Sequence, residues 1–178
     1  TGFIILDNIR KTNLVFKNQG LIIEDLGDGI LNCEFTSKMN TIGPEVLIGL
    51  NKAIDIAEES FDGLVIGNQD NNFSVGANLG VIFIMAVEQE YDELNMAIKY
   101  FQDTMMRIRY SSIPTVAAPH GMTLGGGCEL TMHADKAVAA AETYIGLVEF
   151  GVGLIPGGGV PRKWLCAHQI HFVKMMLN

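Results

Sequence analysis

The chain has 178 residues, which is enough for one domain with a sizeable core. Apolar residues make up 48% and charged residues 18%, a composition that excludes a disordered chain and indicates a globular one. The net charge of −8 disfavours binding to nucleic acid or to an anionic membrane, because both repel an acidic surface. We therefore predict no nucleic-acid partner.

Cysteine content and apolar stretches bear on where the chain works. Cys33, Cys128 and Cys166 are too few for a disulfide framework, which favours a reducing, cytoplasmic location. The longest strongly apolar stretch, 81–87, is too short to span a bilayer, so we predict no membrane span. The first twenty residues lack the regions of a signal peptide and an initiator Met. We expect residues 1–20 to be a linker from a preceding domain of a longer chain.

The first predicted elements are a hairpin, a helix and a strand. Residues 21–35 contain two apolar runs around the Gly-Asp-Gly sequence at 27–29, which predicts a β-hairpin. Apolar residues at helical spacing predict an amphipathic helix over 44–59. The short apolar run at 62–68 is typical of a buried strand.

The second half of the chain continues this alternation. A periodic apolar stripe predicts one helix over 81–110, ending ahead of Pro114. Small residues at 115–121 predict a strand, 128–135 a further helix, and 136–147 a returning strand. Strands that alternate with helices indicate α/β architecture.

A run of three glycines, Gly125 to Gly127, separates a predicted strand from a predicted helix. Such a junction exposes free helix N–H groups, which stabilise negative charge. No phosphate-binding motif occurs, so an oxyanion hole of backbone N–H groups fits better. The second donor could come from "FSVGANL" at 73–79, another glycine-bearing turn after a buried strand. A tight strand-to-helix turn without function remains the alternative.

Two acidic residues stand near these glycines. Glu129 lies in the first turn of the helix after the run, and Glu149 lies in an apolar, glycine-rich setting. A carboxyl group among apolar residues is expected to have a raised pKa. Two such groups facing one cleft suit acid–base chemistry. Taken singly, each could also be an ordinary surface acid.

Three segments together resemble the motifs of the crotonase family, the enoyl-CoA hydratase/isomerase superfamily. They are "FSVGANL", "HGMTLGGGCEL" and "GLVEFGVGLIPGGG", in the family's order and spacing. The resemblance covers 21–164 and is especially close to hydratase domains fused after a 3-hydroxyacyl-CoA dehydrogenase. It implies an α/β fold of the ClpP/crotonase type, a spiral of repeated ββα units, with 21–164 as the core domain.

The resemblance also implies roles for single residues. The backbone N–H groups of Ala77 and Gly126 would hold a thioester oxygen, and Glu129 and Glu149 would bind and activate a water. The implied substrate-binding positions are Ala77, Asn78, Leu79, Gly80, Gly126 and Gly157. Asn78 departs from the acid that family members usually have there.

The implied reaction is syn addition of water to a 2-trans-enoyl-CoA, giving the 3-hydroxyacyl-CoA of fatty-acid β-oxidation. We expect Glu149 to protonate Cα and Glu129 to act as base, although a jointly titrating pair leaves that division open. No cofactor is implied, since coenzyme A is part of the acyl-CoA thioester substrate. The expected assembly is a trimer-like homo-oligomer or a fusion to a dehydrogenase domain.

Other functions stay open at this point. An enoyl-CoA isomerase would usually keep only the acid at Glu149, so two acids favour hydration. A domain that binds CoA esters or mediates assembly without turnover is a further alternative. The spacing of Cys166, His168 and His171, with Cys128 and His133 elsewhere in the sequence, lacks the paired cysteines of common zinc sites, and we predict no metal.

The end of the sequence is expected to differ from the family. Members of the family continue into C-terminal helices that complete the acyl pocket and the trimer contacts. We therefore expect the C-terminal helical part to be truncated here, with 165–178 as a truncated or atypical tail.

Overall fold

The computed structural model describes residues 4–159, which form an α/β structure as predicted. Its helices are α1 (Leu6–Asn13), α2 (Pro44–Ser60), α3 (Leu79–Val87), α4 (Tyr91–Arg109) and α5 (Gly126–His133). Its strands are β1 (Leu14–Lys17), β2 (Leu21–Gly27), β3 (Ile30–Phe35), β4 (Gly63–Ile66), β5 (Thr115–Ala117), β6 (Met122–Leu124), β7 (Lys136–Ala137) and β8 (Tyr144–Gly146). Two 3₁₀ turns lie at Lys38–Asn40 and Glu149–Val152.

Two sheets organise these strands. The larger has the order β1-β2-β3-β4-β5-β7, with antiparallel pairing among β1, β2 and β3 and parallel pairing from β3 onward. The smaller consists of β6 and β8 in parallel. Because parallel strands carry their carboxyl ends at one edge, the segments that follow β6 and β8 begin side by side.

The predicted hairpin and the first long helix are confirmed. β2 and β3 pair across a turn in which Gly27, Asp28 and Gly29 all have positive φ, of 86°, 53° and 76°. Helix α2 covers the predicted 44–59, begins with Pro44 at its first position and buries its apolar face in the core. The predicted strands at 62–68 and 115–121 contain the shorter β4 and β5.

Residues 4–17, inside the segment expected to be a linker, pack against this sheet. Strand β1 pairs with β2, and Arg10 on α1 forms ion pairs with Glu24 and Glu34 of the hairpin. Burial raises the pKa of Glu34, and the Arg10 charge opposes that rise. Removing one partner of a buried ion pair is costly, so Arg10 ties α1 to the sheet. The boundary of the domain itself stays a prediction.

The single helix predicted over 81–110 is wrong. The chain forms α3 and α4, separated at Glu88–Glu90, where Gln89 adopts a positive φ of 59°. The Glu90 N–H bonds back to the Met85 carbonyl at 2.9 Å and closes α3. No glycine or proline marks this break. The apolar periodicity continues across it, and for that reason the sequence predicted one helix.

The strand predicted over 136–147 is also wrong as one element. Its two ends are β7 and β8, which belong to different sheets. Between them the Thr143 hydroxyl donates to the Ala140 carbonyl at 2.7 Å and stabilises a turn. Strand β6 was not predicted, and α5 begins at Gly126 rather than at residue 128.

Within residues 4–159, none of the helices has the length and apolar character needed to cross a bilayer.

Candidate active site

The three segments that carry the candidate site residues meet because of how strand β6 pairs with its neighbours. Leu124 at the end of β6 pairs with Gly146 at the end of β8, and the Gly125 N–H donates to the Gly146 carbonyl at 3.0 Å. On the other side of β6, the Leu124 N–H donates to the Ser74 carbonyl at 2.9 Å. The segments with Ala77, the glycine run and Glu149 therefore converge at one edge of the small sheet.

The loop that carries Ala77 is held by a buried serine. The Ser74 hydroxyl donates to the Asn40 carbonyl at 2.6 Å and accepts from the Gly76 N–H at 3.1 Å. Gly76 has a φ of +86°, and a β carbon there would lie 2.8 Å from the Leu124 oxygen and 2.9 Å from the Gly126 nitrogen. Only glycine allows this approach, which brings the Ala77 loop onto the glycine run.

The glycine run turns the chain from β6 into α5. Gly125 makes the turn with a φ of +51°, and a β carbon on Gly126 would lie 3.6 Å from the Ala77 nitrogen. Within residues 4–159, neither the Ala77 N–H nor the Gly126 N–H donates a hydrogen bond. Two neighbouring free N–H groups, one at a helix start, are the arrangement that an oxyanion hole requires.

Glu129 is buried, with 2% of its surface exposed. Its Oε1 accepts a hydrogen bond from the Gly158 N–H at 2.6 Å. The pKa of Glu129 is raised to about 7, because burial and the nearby charge of Glu149 raise it by more than the Gly158 hydrogen bond lowers it. A carboxyl group that titrates near neutral pH can both take up and release a proton.

Glu149 opens the second 3₁₀ turn and faces the start of α5. A β carbon on Gly125 would lie 3.1 Å from Glu149 Oε1. Its Oε2 is buried without a hydrogen-bond partner among residues 4–159. Unpaired buried carboxyl oxygens are costly, so this atom is available to a ligand.

Three contacts at this site were missed by the sequence analysis. Gly158, rather than Gly157, contacts Glu129, and a β carbon on Gly158 would lie 2.5 Å from the Glu129 carboxyl carbon. The ring of Phe101 on α4 lies beside both Gly126 and Gly158. The neighbouring Gln102 donates from Nε2 to the Gly157 carbonyl at 2.7 Å. The glycine triplet at 157–159 was the available sequence signal.

The other expected substrate-binding residues form the start of α3. Asn78 accepts a hydrogen bond from the Gly80 N–H at 3.1 Å and caps the helix, with Leu79 as its first residue. Helix α3 is apolar along its whole length, yet none of its residues is buried. Phe83 is 69% exposed and Val87 is 63% exposed. Among residues 4–159 nothing buries this apolar helix, a feature that is typical of interaction surfaces.

The cysteine beside Glu129 does not add a reactive group to this site. Burial raises the pKa of Cys128 to about 12, so it is a thiol at neutral pH rather than a reactive thiolate. Among residues 4–159 no three His, Cys, Asp or Glu side chains form a group that could hold a metal. Cys166, His168 and His171 lie outside the described residues.

Comparison with known proteins assigns the sequence to a family. The sequence model of "Enoyl-CoA hydratase/isomerase" matches residues 26–175 and so reaches into the segment expected to be a tail. A "Probable 3-hydroxyacyl-CoA dehydrogenase" of Bacillus subtilis is 48% identical over 166 residues, which are 93% of this chain and 21% of the relative. A "Putative fatty acid oxidation complex trifunctional enzyme" of Rickettsia felis is 34% identical over 89% of this chain and 22% of its own length.

A solved structure agrees in fold. An enoyl-CoA hydratase from Polaromonas sp. JS666 superposes with a TM-score of 0.74 at 26% identity, over 82% of this chain and 58% of that one. This confirms the predicted crotonase-like fold. The chain spans about a fifth of the two curated relatives, whose names agree with the resemblance to dehydrogenase-fused hydratase domains. By its motifs, its fold and the family match, the chain belongs to the enoyl-CoA hydratase/isomerase family.

Proposed function

We propose that this chain is an enoyl-CoA hydratase domain that adds water to a 2-trans-enoyl-CoA thioester. The observation that carries the proposal is the approach of two carboxyl groups, Glu129 and Glu149, to the glycine run that bears the Gly126 N–H. Glu149 comes within 3.1 Å of a β-carbon position on Gly125, and Glu129 lies in the first turn of α5, the helix that follows Gly125. The acyl-CoA substrate class is supported by the family match.

The N–H groups of Ala77 and Gly126 are proposed to bind the thioester oxygen. That oxygen gains negative charge when water attacks, so donors aimed at it stabilise the transition state more than the substrate. Their positions are fixed by close contacts at Gly76 and Gly127, where added β carbons would lie 2.8–2.9 Å from neighbouring atoms. Fixed donors need no reorganisation during the reaction.

The two carboxyl groups are proposed to divide the proton transfers. Glu129, whose ionised form accepts the Gly158 N–H bond, takes a proton from water as the oxygen bonds to Cβ. The π electrons of the double bond move to Cα and the thioester oxygen, and Glu149 donates a proton to Cα. Glu129 thus gains one proton and Glu149 loses one. Proton exchange with solvent then returns both carboxyl groups to their starting protonation states.

The proposal is tested with the full-length protein and crotonyl-CoA, whose absorbance falls when its double bond is hydrated. We expect a steady fall with the unaltered protein and a rate about 10²- to 10⁴-fold lower for Glu149→Gln, the range for loss of an acid–base group. A matched control is Glu142→Gln, since Glu142 is an exposed acid in the turn before β8. Glu142→Gln should keep the full rate.

The same assay separates the alternatives. Double-bond migration in a 3-enoyl-CoA without hydration of crotonyl-CoA would favour the isomerase. Binding of CoA esters with unchanged absorbance would favour a domain without turnover. Either result would contradict the hydratase proposal.

We further propose that the hydratase domain works beside a dehydrogenase region in one longer protein, as the name of the Bacillus subtilis relative suggests. The uncovered apolar α3 supports an additional contact, such as the trimer-like association expected from the family. The small number of cysteines supports a cytoplasmic location.

A further inference from the structure

One peptide group connects α4 to Glu129. The Gly157 carbonyl accepts from Gln102 Nε2 at 2.7 Å, and the Gly158 N–H donates to Glu129 Oε1 at 2.6 Å. This carbonyl and this N–H belong to the same peptide bond, which is planar and trans. Its two polar atoms point in opposite directions, so holding the oxygen also aims the N–H.

Among residues 4–159, no other hydrogen bond is seen to hold this peptide group in its orientation. It joins two glycines and is followed by a third, Gly159, with a φ of +83°. Glycine permits backbone rotations that other residues resist, so the group could turn over at low cost. A reversed group would present a carbonyl oxygen to Glu129, which repels a carboxylate and accepts a hydrogen bond from a protonated carboxyl group.

We propose that Gln102 is a positioning residue that keeps the Gly157–Gly158 peptide turned so that its N–H faces Glu129, and thereby favours the ionised, base form of that glutamate. The proposal rests on the proposed function in one respect, namely that Glu129 acts as the base. Gln102 contacts the loop at two points: its Nε2 bonds to the Gly157 carbonyl, and its Cγ would lie 3.6 Å from a β carbon on Gly159.

The other titratable groups around Glu129 stay the same when Gln102 is changed. Among residues 4–159 they are Glu149, Cys128 and His133, and the ring Nδ1 of His133 bonds to the Glu129 backbone carbonyl at 2.7 Å. Since the Gly158 hydrogen bond lowers the pKa of Glu129, its loss has a defined sign: the pKa must rise. A purely structural role of Gln102 would change stability and leave this pKa unchanged.

The test uses the full-length protein as Gln102→Met, which keeps the length of the side chain without a donor, and as Gln102→Glu, which replaces the donor by an acceptor. We expect kcat for crotonyl-CoA to fall about 3- to 10-fold in Gln102→Met, as for loss of one hydrogen bond, and at least as far in Gln102→Glu. The acid limb of the pH profile should move to higher pH in both. Asp103→Asn is the control, because Asp103 pairs with Lys99 on the exposed side of α4.

A direct titration separates this proposal from the hydratase proposal. The carboxyl carbon of Glu129, followed by NMR in ¹³C-glutamate-labelled protein and assigned by its loss in Glu129→Gln, reports the pKa without turnover. A higher pKa in both Gln102 variants supports the positioning role even if crotonyl-CoA is not hydrated. An unchanged Glu129 pKa in both variants, with Asp103→Asn as reference, overturns it.

Discussion

The glycine triplets at 125–127 and 157–159 share a composition and differ in their surroundings. In the first, added β carbons on Gly126 and Gly127 would meet the ring of Phe101 and Ser74 at 2.8–3.1 Å. In the second, an added β carbon on Gly157 would meet nothing within 4 Å among residues 4–159, while one on Gly158 would meet the side chains of Glu129 and Phe101.

This difference separates two reasons for glycine. The first triplet is fixed by the packed core and presents an N–H group where two segments cross. The second is fixed mainly by side chains, Gln102 on one side and Glu129 on the other. Changes in the first should therefore affect folding and catalysis together, and changes in the second should affect catalysis more than folding.

The largest expected effect concerns the pH dependence of stability. The pKa of Glu129 is raised to about 7 in the folded chain from an ordinary value of 4.5, so folding favours its protonated form. The resulting stabilisation is complete below pH 4.5 and is lost as the pH rises through about 7. Between pH 5 and pH 8 it amounts to about 2–3 kcal/mol.

Denaturant unfolding of the unaltered protein and of Glu129→Gln at both pH values measures this term. The unaltered protein should lose about 2–3 kcal/mol more than the variant when the pH is raised. If both proteins lost the same free energy of unfolding, the pKa of Glu129 would not be raised in the folded state. The contacts of the second triplet would then hold the ionised carboxylate without destabilising the fold.

Gly127→Ala should reduce the free energy of unfolding by about 1–3 kcal/mol, as for overpacking of a core. The new methyl group would lie 2.8 Å from Ser74 Cβ and 2.9 Å from the Ser74 oxygen. Because Ser74 supports the Ala77 loop, hydration should fall too. Urea unfolding measures the first effect, and unchanged stability would contradict the fixed packing of this triplet.

Gly158→Ala should lower hydration more than stability. The methyl group would lie 2.5 Å from the Glu129 carboxyl carbon and 2.6 Å from the Phe101 ring, so the Gly158 N–H must move away from Glu129. Losing the charge-assisted bond from the Gly158 N–H should cost roughly 10- to 100-fold in kcat. Thermal unfolding alongside the crotonyl-CoA assay checks this, and a Tm loss as large as that of Gly127→Ala would remove the distinction between the triplets.

Gly157→Ala should give the smallest change. Its added methyl group meets open space within the described part of the chain, and its φ does not lie in the left-handed region. We expect the free energy of unfolding to stay within about 0.5 kcal/mol of the original value. A larger loss in urea unfolding would show that this glycine is also restrained by packing.

Local signals in the sequence were enough for much of the fold. The turn at 27–29 and Pro44 at the start of α2 carry their own chemistry, and both elements are confirmed. The break at Gln89, where φ is 59°, has no such residue. The division of 136–147 depends on partners in two different sheets, which no local pattern reveals.

The candidate site divides in the same way. The motif segments around Gly126, Glu129 and Glu149 were recognisable in the sequence, and their roles stay predictions to be tested. Gly158 and Gln102 were not identified, because their contacts join residues that are 29 and 55 positions apart. These contacts depend on how the loop at 157–159 passes α4 and α5 in the folded chain, and the local sequence around each residue does not reveal them.

The most direct test of the account is hydration of crotonyl-CoA by the full-length protein in D₂O, with NMR analysis of the product. If both carboxyl groups serve one water addition beside the Ala77 and Gly126 N–H groups, deuterium at Cα and the hydroxyl at Cβ must lie on the same face, in a single stereoisomer. A mixture of stereoisomers, addition to opposite faces, or no hydration would contradict it.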